Sequence, residues 1–314
     1  MPVRNLQYYA ITAPDRAIAA RFYTDFGLEI VRDDDKETVF RCFGREQDQL
    51  IVYPGPVRRT HHVCFGCGAG ELDAIADIIR QEGISSVDAP DGTDPGGIWF
   101  RDFDDMLTRV IEAEDAPISV GMNPVANRPG SRQRRAQRTE FASDPTVRPR
   151  RLGHVVLFTT DPDRKAALYN RLFGLKVSDT ITGILQFLYC PTGSDHHIVA
   201  VARSAGYGIQ HAGYEVGDAD EAAIGLRQMR DRGYVVCWGP GRHGPGSNIY
   251  AYLRDPWNGM VEYFADIDFI PENSDWEPGV WESDEATVVW GGTQPPDFPT
   301  NFEIMFHPSQ ARRK

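Results

Sequence analysis

An internal repeat limits what this chain can fold into more than any other feature. Residues 6–31 (LQYYAITAPDRAIAARFYTDFGLEIV) and residues 152–179 (LGHVVLFTTDPDRKAALYNRLFGLKVSD) share one order of signals. Each begins with an alternating strand, has an Asp-Arg near a helix start, and closes the helix on Phe-Gly-Leu. Gly27 and Gly174 suit helix C-caps, and the β-branched residues after them predict a new strand.

A second pair of units follows the first. Residues 61–84 parallel residues 211–234, and each predicts a strand, a polar turn and a helix that stops at Gly83 or Gly233. An Arg-Asp turn with strand-like flanks comes after each unit. The chain is therefore predicted to be an α+β protein with four repeated βαβββ-type modules, paired into two domains.

The boundaries follow from composition. We predict an N-terminal module pair without a metal over 1–115, and a C-terminal catalytic, metal-binding pair over 151–268. The segment 116–150 is rich in Pro and Arg and is predicted to be an extended linker. The tail, 269–314, is rich in Pro, Asp and Trp and has little periodicity; a lid over the C-terminal pair is one hypothesis for it.

Charge and cysteine content exclude several classes of protein. A net charge of −12 argues against binding to nucleic acid or an anionic membrane, because both would repel the chain. No apolar run approaches the roughly 18 residues of a membrane span, and no secretory signal is evident. Five cysteines, an odd number, predict a reducing cytoplasm. Cys64 and Cys67 form a lone CxxC without further ligands nearby and are interpreted as small buried residues.

The histidines carry the strongest chemical signal. His154 and His211 lie in strands that are equivalent by the repeat, so a pseudo-two-fold arrangement would bring their imidazoles together. Glu262 lies in an apolar strand, where a carboxylate is costly unless it is paired or bound to a cation. Two imidazoles and one carboxylate on neighbouring strands form the facial triad that leaves iron(II) positions open.

The N-terminal half provides an internal control. Module matching places Tyr8 where His154 stands, His62 where His211 stands, and Arg109 where Glu262 stands. A tyrosine, a histidine and an arginine do not hold a divalent metal. The ligand set is therefore interpreted as serving a chemical function, because the fold itself does not require these residues.

Three motifs carry a family resemblance: LGHVVLFTTDP around His154, IQHAGYEV around His211, and GPGRHGPGSNIYAYLRDPWNGMVEYF over 239–264. The C-terminal half resembles a type I extradiol ring-cleaving dioxygenase, similar to catechol 2,3-dioxygenases, of the vicinal oxygen chelate superfamily. Two such domains with the metal in the second are the usual plan of that family. The resemblance therefore implies the vicinal oxygen chelate, or glyoxalase-like, fold.

The resemblance also implies residue roles. The metal ligands would be His154, His211 and Glu262, binding Fe(II), and Mn(II) fits the same set. The catalytic residues would be His197, which is preferred over its neighbour His196, together with His243 and Tyr252. Tyr250 shares the strand face of Tyr252 and is the alternative to it.

The implied reaction is extradiol (meta) ring cleavage of a catecholic compound with O2, in aromatic degradation. The resemblance further implies a homo-oligomer. Two alternatives stay open: another metalloenzyme of the superfamily, such as a glyoxalase-like isomerase, and a metal-free protein that binds an aromatic compound. The sequence does not choose among monocyclic, trihydroxylated and bicyclic catechols.

Overall fold

The computed structural model describes residues 3–117, 126–143, 146–282 and 288–306. Within this part of the chain, the N-terminal half forms a seven-stranded sheet with the order β2-β3-β4-β1-β5-β7-β6. Its strands are β1 (Val3–Ala13), β2 (Glu29–Asp33), β3 (Thr38–Arg41), β4 (Asp48–Pro54), β5 (Arg59–Cys67), β6 (Ile98–Arg101) and β7 (Leu107–Glu112). Helices α1 (Arg16–Phe26) and α2 (Leu72–Gln81) follow the first strand of each unit.

The C-terminal half forms a ten-stranded sheet in the order β18-β9-β10-β12-β8-β13-β16-β15-β14-β19. Its strands are β8 (Arg151–Thr159), β9 (Lys176–Ile181), β10 (Leu185–Tyr189), β12 (Val199–Arg203), β13 (Gly208–Glu215), β14 (Val235–His243), β15 (Ile249–Arg254), β16 (Met260–Ala265), β18 (Gly279–Trp281) and β19 (Val288–Trp290). Strands β11 (Ser194–Asp195) and β17 (Phe269–Ile270) pair separately, and the helices are α3 (Pro162–Phe173) and α4 (Ala219–Asp231).

Local signals explain the ends of the repeated helices. Asp15 caps α1 by accepting the backbone N–H of Ile18 at 3.0 Å, and α1 ends at Gly27, whose φ of 109° is left-handed. Asp161 caps α3 in the same way, and α3 ends at Gly174 with φ 70°. A residue with a side chain is strained at such a φ, so the glycines fix where each helix stops and the next strand begins.

The element order confirms the predicted fold class. A strand, a helix and three further strands recur as β1–α1–β2–β3–β4, and again from β13 through α4 to β16. The module that begins with β8 adds the two-residue strand β11 to this plan. In the second module the described residues form two strands after α2, and Ser86 adds a single bridge to Phe100.

The two halves share one hydrophobic core. Phe26 of α1 stacks on Tyr263 of β16 with ring centroids 4.1 Å apart, and the Tyr263 hydroxyl donates to the Phe26 carbonyl at 2.7 Å. Phe65 of β5 lies 5.3 Å from Phe173 of α3. Helix α1 packs near α4, and α2 packs near α3. The side of the C-terminal sheet opposite this core remains available for a cavity.

The tail is more regular than its lack of periodicity predicted. Strand β18 pairs with β9 and β19 pairs with β14, so the tail contributes both edges of the ten-stranded sheet. Phe302–Phe306 forms a 3-10 helix, and a second 3-10 helix, Glu140–Ser143, lies in the predicted linker. Among the residues that the structure covers, no helix has the length and apolarity needed to span a bilayer. The four-part division of the chain stays a prediction.

Candidate metal centre and active site

Three neighbouring strands bring His154, His211 and Glu262 together; we call these residues the triad. Strand β13 lies between β8 and β16, antiparallel to the first and parallel to the second. In this register both His154 and Glu262 pair with Gly213, two residues beyond His211 on β13. Alternate residues of a strand share a face, so all three side chains project to one side of the sheet.

The ligand atoms of the triad are close enough to share one ion. His154 Nε2 lies 2.8 Å from Glu262 Oε2 and 3.2 Å from His211 Nε2, and His211 Nε2 lies 3.4 Å from Glu262 Oε2. The three ligand atoms fall within 4.8 Å of one another, and all three residues are buried. The set matches the two-histidine, one-carboxylate arrangement of non-haem iron sites.

Gly213 leaves the space in which the triad meets. A Cβ added to Gly213 would collide with the imidazole of His154 and come within 2.9 Å of Glu262 Oε2. The clash comes from a side chain that the triad needs and not from backbone strain. Glycine at this position is therefore a requirement of the triad.

Gln210 fixes the tautomer of His211. A β-bulge between Ile209 and His211 puts the side chain of Gln210 on the cavity side next to His211. The Gln210 Nε2 donates to the carbonyl of Phe298 at 3.1 Å, so its Oε1 is the atom that accepts from His211 Nδ1. A neutral His211 then presents an unprotonated Nε2 to the carboxylate of Glu262, and two acceptors face one another unless a cation lies between them.

The electrostatics of the triad agree with a bound cation. Burial lowers the pKa of His211, which keeps its ring neutral and able to bind a metal. Burial alone would raise the pKa of Glu262, but the interactions with the neighbouring imidazoles of His154 and His211 outweigh it and lower the pKa to about 2. Asn248 adds a hydrogen bond from its Nδ2 to Glu262 Oε1 at 3.3 Å. Glu262 is therefore held as a carboxylate inside the protein.

His197 and His196 take different positions, although both precede β12 in an irregular segment instead of a strand. His197 lines the cavity, and its ring centroid lies 4.5 Å from that of His154. His196 lies behind it, with the two Nδ1 atoms 3.0 Å apart, and its Nε2 is 3.4 Å from Asp179 Oδ2. Burial lowers the pKa of His197 well below its ordinary value.

Tyr252 and His243 form a pair at the same cavity. His243 Nε2 lies 3.0 Å from the hydroxyl of Tyr252, and both residues line the cavity. Tyr252 is the strand partner of Glu262, so it stands directly beside the triad. Tyr250 is buried against Gly241 and does not line this cavity. The geometry thus favours Tyr252 over Tyr250, and the catalytic roles of His197, His243 and Tyr252 stay predictions.

The tail contributes residues to the cavity wall that the sequence analysis did not identify. Phe298 packs with its ring centroid 5.0 Å from those of both Trp238 and Tyr252, and Gln294 and Pro299 also line the cavity. Sequence reasoning also missed Gly213, Gln210 and Asn248. The repeat contained a signal for Gly213. The equivalent position of the N-terminal half holds Cys64, so the glycine is a point at which the two halves differ.

The N-terminal half places its own three residues in contact; we call Tyr8, His62 and Arg109 the counterpart cluster. The Tyr8 hydroxyl lies 3.2 Å from His62 Nε2 and accepts from Arg109 Nη1 at 2.8 Å. All three are buried. Cys64 pairs with both Tyr8 and Arg109, where Gly213 pairs with His154 and Glu262.

Comparison with known proteins agrees with this architecture. Residues 151–263 match the model of the Glyoxalase/Bleomycin resistance protein/Dioxygenase superfamily. The segment contains the whole triad. It begins at the first residue of β8 and ends just after Glu262, so the match covers the module pair that holds the candidate metal centre.

Individual relatives cover nearly the whole chain. Metapyrocatechase 2 of Cupriavidus necator is 34% identical over 306 residues, which covers 96% of this chain and 93% of the relative. An iron-dependent extradiol dioxygenase of Rhodococcus jostii (strain RHA1) is 23% identical over 314 residues, with 93% and 97% coverage. The solved Mn(II)-bound glyoxalase from Novosphingobium aromaticivorans has the same fold, with a TM-score of 0.78, 21% identity and coverage of 95% and 94%. The chain belongs to the extradiol ring-cleaving dioxygenases of the vicinal oxygen chelate superfamily.

Proposed function

We propose that the protein is an iron(II)-dependent enzyme that opens the aromatic ring of a catechol beside its two hydroxyls, using O2. The observation that carries the proposal is the triad, with three buried ligand atoms within 4.8 Å at the wall of an apolar cavity. The relatives named metapyrocatechase and iron-dependent extradiol dioxygenase support the reaction and the choice of iron.

The triad would hold the metal through His154 Nε2, His211 Nε2 and a carboxylate oxygen of Glu262. When bound, iron(II) in such a site leaves positions open for the substrate oxygens and for O2, and it lowers the pKa of a bound hydroxyl. Gln210 would keep His211 in the tautomer that binds metal, and Asn248 would hold the carboxylate in place.

We assign the substrate proton to the pair of His243 and Tyr252. Burial raises the pKa of Tyr252 well above its ordinary value, and the charge of Glu262 raises it further, so the hydroxyl stays protonated at neutral pH. Tyr252 can therefore donate its proton to His243 while its oxygen accepts the hydrogen bond of the substrate hydroxyl, which orients the substrate and passes its proton on. His243 Nε2, 3.0 Å from that hydroxyl, is the group that takes the proton from the catechol.

We propose that His197 stabilises the negative charge that develops on O2 during the reaction. It is buried, faces the cavity beside His154, and has a pKa held well below its ordinary value. A neutral imidazole at this place can donate a hydrogen bond without repelling the metal. The nearby pair of His196 and Asp179 would hold its ring in orientation.

The proposal includes a cytoplasmic location and a homo-oligomer. All five cysteines are free, which suits a reducing compartment. Large apolar side chains are exposed on the tail strands, at Phe269, Val280, Val289 and Trp290, and such a surface suits contact with a second copy. Light scattering on the purified protein tests the oligomer, and a monomer at micromolar concentration contradicts it.

The test is anaerobic reconstitution with iron(II) or, separately, manganese(II). Each loaded protein is mixed in air with catechol, 3-methylcatechol or biphenyl-2,3-diol, and oxygen uptake and visible absorbance are recorded. We expect the iron-loaded protein to form a yellow ring-opened product and to consume one O2 per substrate.

The control is His154→Gln, which keeps the shape of the site and should retain no metal. Bound iron without oxygen uptake on any of the three diols would contradict ring cleavage. Turnover with manganese alone would leave the reaction standing and overturn the choice of iron.

A further inference from the structure

The cavity beside the triad changes character along its length. Strand β8 places His154, Val156 and Phe158 on the cavity side, because alternate residues share a face. At roughly 3.3 Å per residue, Val156 lies about 7 Å and Phe158 about 13 Å along the strand from His154. The cavity therefore runs from a polar end at the triad to an apolar region farther out.

The outer region is lined by side chains from four strands; we call this set the apolar wall. Its members are Val156, Phe158, Ile181, Leu185, Phe187 and Ala202. Four residues, Val156, Ile181, Phe187 and Ala200, form a compact cluster of their own, with Leu185, Ala202 and Trp281 packed against it. The wall is thus a packed surface and not a few scattered contacts.

The mouth of the cavity continues this surface. Ile184 lies in the turn between β9 and β10, lines the cavity, and is 41% exposed. A large apolar side chain at an open turn is costly to leave in water, so a ligand that covers it gains from its burial. The apolar wall and Ile184 together favour an apolar group over a charged one.

The cavity offers little to a carboxylate outside the triad end. In the part of the chain that the structure describes, Arg203 is the one lysine or arginine that lines it. Its Nε donates to the Gly183 carbonyl at 2.6 Å and its Nη1 to the Thr160 carbonyl at 3.3 Å. Arg203 thus holds the β9–β10 turn with two of its donor groups engaged, so an anion against the apolar wall would lose its water and gain only a counter-charge at the edge of the wall that is already bonded to the backbone.

We propose that the substrate is a catechol with an uncharged, apolar ring substituent, alkyl or aryl, that lies against the apolar wall. The inference rests on the proposed ring cleavage and specifies its substrate class. Catechols whose substituent is a carboxylate, or ends in one, are excluded by the same surface. The wall acts through differential burial: the apolar substituent leaves water at a gain and the carboxylate leaves it at a cost.

The test uses substrate pairs that match in shape and differ in charge. The first pair is 3-isopropylcatechol and 2,3-dihydroxybenzoate, and the second is 4-isopropylcatechol and 3,4-dihydroxybenzoate. Dissociation constants are measured without oxygen on the metal-loaded protein, and kcat/KM is measured in air. We expect the apolar member of the accepted pair to be favoured by about 100-fold or more in both measurements.

A charge placed on the wall should reverse the preference. Leu185 is half-buried, so an arginine there can reach the cavity without occupying the core. In Leu185→Arg we expect the ratio between apolar and carboxylate members to fall by about 10-fold or more. The matched control is Val235→Arg, because Val235 is 59% exposed and does not line the cavity; its ratio should equal that of the parent protein.

The outcomes separate this inference from the proposed function. Cleavage of unsubstituted catechol reports the function alone, and the binding measured without oxygen reports the substituent preference alone. Equal affinity for both members of each pair would overturn the inference and leave ring cleavage standing. Tight binding of a dihydroxybenzoate that is lost in Arg203→Gln would overturn it too, because Arg203 would then be the recognition group.

Discussion

The two halves build the same three-strand frame and fill it with opposite chemistry. In the N-terminal sheet, β1, β5 and β7 carry the counterpart cluster, and in the C-terminal sheet β8, β13 and β16 carry the triad. Both sets are buried. The polar groups of the counterpart cluster find partners within the protein. Arg109 donates to the Tyr8 hydroxyl at 2.8 Å and forms an ion pair with Asp94.

The polar atoms of the triad do not all find hydrogen-bond partners in this way. With His211 held as the Nδ1–H tautomer by Gln210, an unprotonated nitrogen faces the carboxylate of Glu262. In the counterpart cluster a built-in cation, the guanidinium of Arg109, supplies the positive charge that the triad lacks. The three-strand frame therefore does not determine the function by itself. The side chains at three positions, with a glycine between them, decide whether a metal is needed.

The largest contrast is expected between Glu262→Gln and Arg109→Gln. Glu262→Gln removes the one charged ligand of the triad. Metal affinity should therefore fall by more than about 100-fold, which is the largest loss usual when a residue that only hydrogen-bonds to a metal ligand is replaced. Turnover should be lost with the metal. Arg109→Gln should keep full metal content, although it unpairs Tyr8 at a cost of about 1–3 kcal/mol in the free energy of unfolding.

Metal content after desalting, measured by atomic emission, and turnover of catechol test both variants. Loss of metal in Arg109→Gln would break the comparison, because the counterpart cluster would then contribute to the metal centre.

The second contrast concerns the residue between the ligands. Gly213→Ala puts a methyl group into the imidazole of His154, so we expect metal affinity to fall by about 100-fold. The equivalent position of the N-terminal half holds Cys64, but alanine is used here because a cysteine at position 213 could itself bind metal. In Cys64→Gly the affinity should not change, and the lost packing should cost about 1–3 kcal/mol in the free energy of unfolding.

Competition with a metal chelator measures the affinity, and urea unfolding measures the stability. Wild-type affinity in Gly213→Ala would show that the three strands can shift apart, which would contradict the tight register described above.

A third contrast compares the strand partners of Glu262 and Arg109. Tyr252 pairs with Glu262, and Trp99 pairs with Arg109. Tyr252→Phe should keep the metal and lower kcat by about 100-fold, the low end for a lost acid–base group, because His243 loses its hydroxyl partner. Trp99→Phe should leave kcat unchanged. Steady-state kinetics on iron-loaded protein test both, and an unaffected Tyr252→Phe would move the proton role elsewhere.

The smallest contrast concerns the residues that precede the two histidines. Gln210 orients His211, and His61 lies beside His62 with their Nδ1 atoms 2.7 Å apart. Gln210→Leu should weaken metal binding by about 10-fold, the low end for an outer hydrogen-bond partner. His61→Leu should leave it unchanged. Chelator competition distinguishes the two, and equal affinity of Gln210→Leu and the parent protein would remove the tautomer argument.

The repeat predicted most of the fold because its signals are local. The Asp caps, Phe-Gly-Leu helix ends and alternating strands act within a few residues, and the fold class and family inferred from them are confirmed. The meeting of His154 and His211 followed from equivalent positions in two modules, and the structure places their Nε2 atoms 3.2 Å apart.

What escaped prediction depends on register and on distant contacts. The need for Gly213 arises from which residues of β8 and β16 lie opposite it, and the place of Gln210 arises from a single bulge. Strands β18 and β19 have three residues each, too few for alternation to be visible, so the tail seemed irregular. Phe298 reaches the cavity only through contacts with residues far away in the chain.

The stacking of Phe26 on Tyr263 has a consequence for heat denaturation. Tyr263 follows Glu262 directly, and its hydroxyl donates to the backbone of α1, so the strand that holds Glu262 is bonded to the N-terminal half. Ion binding to the native state alone is linked to unfolding and adds RT ln(1 + [M]/Kd) to the stability of everything that unfolds together with the site. The chain should therefore melt in one calorimetric transition whose midpoint rises with free metal concentration, and the N-terminal half should share that rise although the triad lies in the other half.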